Sequence, residues 1–207
     1  MTTPLGSLEI VAREGRRVSV HRATRETDVS VTVDLDGSGA ADVQTGVGFY
    51  DHLLASLAHH GLIDLTIRAT GDLEVDDHHT VEDVALVLGA AVAEALGDRA
   101  GIVRFGDASV PMDEAVATAI VDVGGRPYAV VDLPFRADRA GSLSLQLVEH
   151  ALEAFARTAG ATLHVRGTGR NDHHLAEAAF KALGRALRAA TEPDPRRRGL
   201  ASTKGST

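Results

Sequence analysis

The chain states one seven-residue pattern twice, and that doubling constrains its fold more than any other feature. Asp76-Asp77-His78-His79-Thr80-Val81-Glu82 returns almost a hundred residues later as Asn171-Asp172-His173-His174-Leu175-Ala176-Glu177. The flanks repeat as well. Residues 49–60 read as a helix stopped by Gly61, and a helix opened by Glu149-His150 is stopped by Gly160. Residues 62–67 and 162–165 read as strands, closed by Thr70-Gly71 and Thr168-Gly169. Helices over 80–96 and 174–190 follow, one carrying Leu88-Gly89 and the other Leu183-Gly184. Upstream, residues 115–123 alternate apolar and polar positions as 27–35 do, within a longer alternating stretch that begins at Val18.

Strands before a helix, then strand and helix again, in two copies, predict an internally duplicated α+β domain. Each half is expected to be a mostly antiparallel sheet packed on two helices. The expected divisions are 9–97, 98–192 (with 98–108 as the join) and a basic tail over 193–207. Residues 1–8 read as a loose leader, and Asp36-Gly37-Ser38-Gly39 as the turn of a hairpin.

The repeat also filters candidate metal ligands. The chain has no cysteine, so a metal must be held by histidine and carboxylate. His52 matches His150, His78 matches His173, His79 matches His174, and Glu82 matches Glu177. Asp83 becomes Ala178 and drops out, and His59 and His60 meet Arg157 and Thr158. Residues four apart share a helix face, so His78 and Glu82 can reach one ion and His173 and Glu177 another. Neighbouring residues diverge by about 100°, which turns His79 and His174 toward a different ion from their partners. The closed solution has two ions. One takes His78, Glu82, His174 and either His52 or His150; the other takes His173, Glu177, His79 and the remaining histidine. Asp77 and Asp172 are expected either to cap helices or to accept from ring N–H groups.

A net charge of −8, no tryptophan and 3% aromatic residues argue against a basic, base-stacking nucleic-acid surface. No stretch reaches membrane-spanning length, and the expected location is cytoplasmic. Two other readings use the same ligands: a metal-storage or metal-sensing protein, and a two-metal phosphatase. Lys181 speaks for an enzyme. It stands where the first copy has Leu86, eight residues after His173, and a break in symmetry beside a symmetric site points to substrate recognition.

The segments 45–54, 77–83 and 171–181 resemble those of the imidazoleglycerol-phosphate dehydratase family, and the resemblance runs from about Arg16 to Gly205. It implies a duplicated α+β fold like the second domain of ribosomal protein S5, and loss of water from imidazole glycerol phosphate to give imidazole acetol phosphate in histidine biosynthesis. It also implies two Mn2+ per subunit, in a homo-oligomer of 24 subunits with sites at subunit interfaces. One ion would take His52, His79, His173 and Glu177, the other His78, Glu82, His150 and His174. Proton transfer would fall to Glu26 and Glu177. Substrate and phosphate would meet Glu26, His52, His60, Arg104, Arg126, Lys181, Ser202 and Lys204, with the tail ordering over bound substrate. Glu114 occupies the place of Glu26 in the second copy and is a lesser candidate for the same role. The chemistry explains the metal: the proton to be lost is not next to a carbonyl, whereas an imidazole held through nitrogen by a Lewis acid can shed its N–H and push out the adjacent hydroxyl.

Overall fold

The structure is a computed structural model describing residues 8–204. In the first half, β1 (Leu8–Glu14), β2 (Arg17–Ala23), β3 (Thr27–Asp34) and β4 (Ala41–Gln44) precede α1 (Gly48–Gly61), β5 (Asp64–Gly71) and α2 (His78–Leu96). The second half runs β6 (Phe105–Met112), β7 (Ala115–Asp122), β8 (Tyr128–Asp132), the short β9 (Arg139–Ala140) and β10 (Leu143–Ser144), α3 (Gln146–Ala159), β11 (Thr162–Thr168) and α4 (Asp172–Thr191). The larger sheets have the orders β1-β2-β3-β5-β4 and β6-β7-β11-β8, antiparallel except for the last strand of each, which runs parallel to its neighbour. The duplication is therefore present in the topology itself.

Alternation decides which faces are buried. Thr27, Val29, Val31 and Val33 of β3, and Ala115, Ala117, Ala119 and Val121 of β7, are the buried positions, and all but Thr27 and Ala115 belong to one continuous core. Against these faces lie α2, on β2 and β3, and α4, on β6 and β7. The halves join helix to helix and across the repeat: α1 packs on α4, and α2 on α3. The repeated Leu-Gly pairs mark those two crossings. A Cβ on Gly89 would lie 2.5 Å from the Phe155 carbonyl oxygen, and one on Gly184 would lie 2.3 Å from that of Leu57. Only glycine permits backbones this close.

Four expectations are corrected. The alternating stretch from Val18 is two strands, because the Thr24–Thr27 turn folds it back on itself. The 36–39 turn does not close a hairpin: β4 pairs in parallel with β5, not with β3. There Asp64 draws the turn in, its carboxylate accepting from the N–H groups of Ser38, Gly39 and Ala40. Gly61 does not stop α1. Leu62 does, in the left-handed conformation at φ +51°, while Gly61 is buried against the Gly184 carbonyl. The proposed leader is cut short by β1, which begins at Leu8; residues 1–7 lie outside the described part.

Candidate active site

Cross-packing of the helices brings the matched ligands together. At the α1–α4 crossing, His52 Nε2 and His173 Nε2 each lie 3.2 Å from Glu177 Oε2. At the α2–α3 crossing, His150 Nε2 lies 3.5 Å from Glu82 Oε1, with the His78 and His150 rings 4.9 Å apart. Within each group, His52–His173–Glu177 and His78–Glu82–His150, the ligand atoms all fall within 4.8 Å of one another. Helical spacing supplies two members of each, and the facing helix from the other half supplies the third.

The residues fit a divalent cation. His150 Nε2 is buried and has no hydrogen-bond partner among the described residues, yet it faces Glu82. A buried ring nitrogen without a partner is costly unless something accepts its lone pair. Imidazole and carboxylate without thiolate suit Mn, Fe, Ni or Zn.

Glu177 is buried. Burial alone would raise its carboxyl pKa, but hydrogen bonds from Lys181 and His52 overcome it and hold the group below its ordinary value. Lys181 Nζ is 2.6 Å from Glu177 Oε1, so the residue that breaks the repeat touches the ligand group directly. His60 is close by; burial first, then the Lys181 charge, lowers its pKa and favours a neutral ring. Phe49 packs on the His173 ring at 4.6 Å.

His79 and His174 join neither group within the chain. Their rings stand nearly perpendicular to those of His78 and His173, at 79° and 85°. Carboxylates from different places hold them. Asp72 meets His79 Nδ1 at 3.0 Å, and Glu114 meets His174 Nδ1 at 2.9 Å. Glu114 also accepts from the N–H groups of Arg170 and Asn171, and with the His174 bond leading, its pKa falls to about 2. Sequence reading missed Asp72. The signal was another break in the repeat, since Thr70-Gly71-Asp72 becomes Thr168-Gly169-Arg170.

Asp77 and Asp172 neither cap with their side chains nor touch a ring. Asp77 accepts from the Ser144 N–H and hydroxyl at 2.6 and 2.8 Å, and Asp172 from the Arg136 and Ala137 N–H groups at 3.0 and 2.7 Å. They tie the segment before α3 to the starts of α2 and α4. Asn171 caps α4 by accepting from His173 N–H at 3.0 Å.

Glu26 sits in the exposed β2–β3 turn, 3.9 Å from His79 Nδ1, and lines a cavity of about 930 Å³ with His79, Glu82 and Arg157. Arg157 donates to Glu82 at 3.1 Å. A second cavity, of about 510 Å³, brings Arg104, Arg126, Ser202 and Lys204 together at the tail. No residue lining it lines the Glu26 cavity or belongs to either histidine group. Arg104 is already engaged, gripping Asp122 with Nε and Nη2 at 2.7 and 2.9 Å and reaching the Ala201 carbonyl with Nη1 at 2.5 Å. It fixes the tail against β7, and Gly101 N–H donates to the Gly199 carbonyl beside it.

Comparison with known proteins agrees with this architecture. The sequence model of the imidazoleglycerol-phosphate dehydratase family matches residues 45–187. The imidazoleglycerol-phosphate dehydratase of Methanoculleus marisnigri is 56% identical over 191 residues, spanning 92% of this chain and 99% of that protein. The chloroplastic one of Pisum sativum is 54% identical over 194 residues, spanning 93% of this chain and 69% of that protein. Among solved structures, IGPD from Pyrococcus furiosus superposes with a TM-score of 0.78 at 37% identity, over 90% of this chain and 99% of that one. Imidazoleglycerol-phosphate dehydratase from Staphylococcus aureus gives 0.74 at 34% identity, over 84% and 97%. With the doubled His-His-Glu groups, the duplicated topology and these relatives in agreement, the chain belongs to the imidazoleglycerol-phosphate dehydratase family.

Proposed function

We propose that this chain removes water from imidazole glycerol phosphate to give imidazole acetol phosphate, a carbon–oxygen lyase step of histidine biosynthesis, and that two Mn2+ ions per chain serve it. The carrying observation is that each His-His-Glu group draws ligands from both halves of a chain of this family. Bound Mn2+ would supply Lewis acidity to the imidazole of the substrate. His52, His173 and Glu177 would hold one ion, and His78, Glu82 and His150 the other. His79 and His174 stand outside their own chain's groups, which supports their serving as fourth ligands to ions held by a neighbouring subunit. The separate tail cavity supports the same arrangement. Sharing no residue with either histidine group, Arg104, Arg126, Ser202 and Lys204 would grip phosphate beside an ion across a subunit contact.

A homo-oligomer, 24 subunits by resemblance, fits both observations. Its contact surface would be the outer face of the second sheet, which leaves Phe105, Val116, Ile120, Tyr128 and Val130 exposed. The outer face of the first sheet instead carries residues such as Ser30, Thr66 and Arg68. Within the site, the Glu26 carboxylate takes no hydrogen bond from the described residues and serves as acid and base, with Glu177 in a second proton-transfer role. Lys181 and His60 bind substrate beside Glu177. The half-repeats 9–97 and 98–192 act as one site-building unit and 193–207 as its phosphate arm, in the cytoplasm and without nucleic acid or membrane.

Incubating Mn-loaded protein with imidazole glycerol phosphate and following the keto product tests this function. Inorganic phosphate without ketone would reassign the chain to hydrolysis, and no consumption would favour metal storage.

A further inference from the structure

The two halves place a glutamate at the same point, Glu26 after β2 and Glu114 after β6, yet surround it differently. In the second half Glu114 is spent: two backbone N–H groups and His174 occupy its carboxylate. In the first half the Glu26 carboxylate stays open, its ionic partner among the described residues being His79 at 3.9 Å. Beneath Glu26 lies a polar cluster in which Thr27 and Asp83 are buried and Arg22 is half-buried. Arg22 Nη1 is 2.5 Å from Asp83 Oδ2, and the Thr27 hydroxyl donates to the same carboxylate.

The repeat shows that the fold does not need this cluster. Strand register puts Val110 where Arg22 is, because Arg22 pairs with Val29 and Val110 with Ala117, and Val29 and Ala117 occupy matching positions in β3 and β7. Ala115 stands for Thr27, and Ala178 for Asp83. The same sheet-on-helix packing is thus completed by Val110, Ala115 and Ala178, the two alanines fully buried. A buried ion pair is weak evidence for stability, since an apolar set of similar volume often does as well.

What the cluster does have is position. Thr27 closes the turn that carries Glu26, its N–H donating to the Thr24 hydroxyl at 2.9 Å, which also accepts from Glu26 N–H at 3.1 Å. Asp83 lies on α2 between the Glu82 ligand and the next turn, four residues after His79. The cluster therefore locks the Glu26 turn to the helix that bears His78, His79 and Glu82.

We propose that Arg22, Thr27 and Asp83 are positioning residues that hold the Glu26 carboxylate at a fixed place relative to α2, leaving it unoccupied for proton transfer. This rests on the function proposed above. Thr27→Val removes only the hydroxyl at a strand position, and Thr27→Ser retains it. The expected result in Mn-loaded enzyme is a kcat loss of about tenfold for Thr27→Val, KM and metal content within about twofold of the parent, and near-parental kcat for Thr27→Ser. In a Glu26→Gln background Thr27→Val should add no further loss, because coupled positions are not additive. The Arg22→Val/Thr27→Ala/Asp83→Ala variant, copying the second half, should keep the Tm within a few degrees and lose turnover as Thr27→Val does.

Amide hydrogen exchange gives a reading independent of turnover. Residues 24–27 should exchange faster in Thr27→Val and at the parental rate in Thr27→Ser. Unchanged exchange and kcat in Thr27→Val, or an equal further loss in the Glu26→Gln background, would overturn the proposal. A parent without dehydratase activity would overturn the function, while the exchange data would still decide whether the cluster fixes the turn.

Discussion

Lys181 shows how one side chain separates binding from chemistry. It touches Glu177 Oε1 at 2.6 Å, and its place in the first half is filled by Leu86. A point charge beside a ligand group suits the phosphate or the developing charge of a substrate. Lys181→Ala is expected to raise KM about tenfold or more with a smaller change in kcat, measured by steady-state kinetics; unchanged values for both would remove it from the site. Glu26→Gln should do the reverse, keeping substrate binding while turnover falls at least a hundredfold. Near-parental turnover would clear Glu26. Spacing in the sequence made the His–Glu pairs readable because helical geometry alone places residues four apart together. The choice between His52 and His150 was not readable that way, since it depends on which helices cross. Asp72 was hidden for a similar reason, as was the part Glu114 plays: their bonds to His79 and His174 follow from loop paths, not from periodicity.

At the level of elements, the crossings of α1 on α4 and α2 on α3 carry most of the information that sequence lacked. The helices themselves were legible, and their bounds differ from expectation by a few residues. Their partners were not, because helix pairing is decided by side-chain and backbone shape over distance. Gly184 is the test. A methyl there meets the Leu57 carbonyl at 2.3 Å, so Gly184→Ala should cost about 1–3 kcal/mol. That corresponds to a Tm drop of roughly 2–10 °C by calorimetry, and His52 moving away from Glu177 should weaken metal retention as well. An unchanged Tm would mean that the crossing yields easily.

Asp64 makes a pH prediction at the same scale. Bonds from the Ala40 N–H, then from Ser38 and Gly39, hold its carboxyl below the usual range. A depressed folded pKa stabilises above the unfolded value, near 4, and that contribution is lost as pH falls below it. Solvent exposure trims the usual worth of such charge-assisted bonds to about 1 kcal/mol. The parent should therefore melt a few degrees above Asp64→Asn at pH 7, with the gap closing below about pH 4. A gap independent of pH would show that the charge is not what holds the loop.

For the whole molecule, the duplicated topology was the most legible property, because it is written in repeated motifs. The proposed association of subunits has no counterpart in the spacing at all. Metal analysis should give about two ions per chain, and one ion would sink the paired-site scheme. Ile120→Asp, on the apolar outer face of the second sheet, should lower the subunit count seen by sedimentation and reduce activity with it. A full-size, active Ile120→Asp assembly would place the contact elsewhere.

The crossing helices also set an order of events during synthesis. When the first half has left the ribosome it carries His52, His78, His79 and Glu82, but neither group has its full set of donors. His150 arrives with α3 and completes the first; His173 and Glu177 arrive last, with α4. The first group can therefore be complete once α3 exists, and the second only after nearly the whole chain does. Nascent chains stalled before α3 should then bind these metals no better than an unstructured histidine-bearing peptide does.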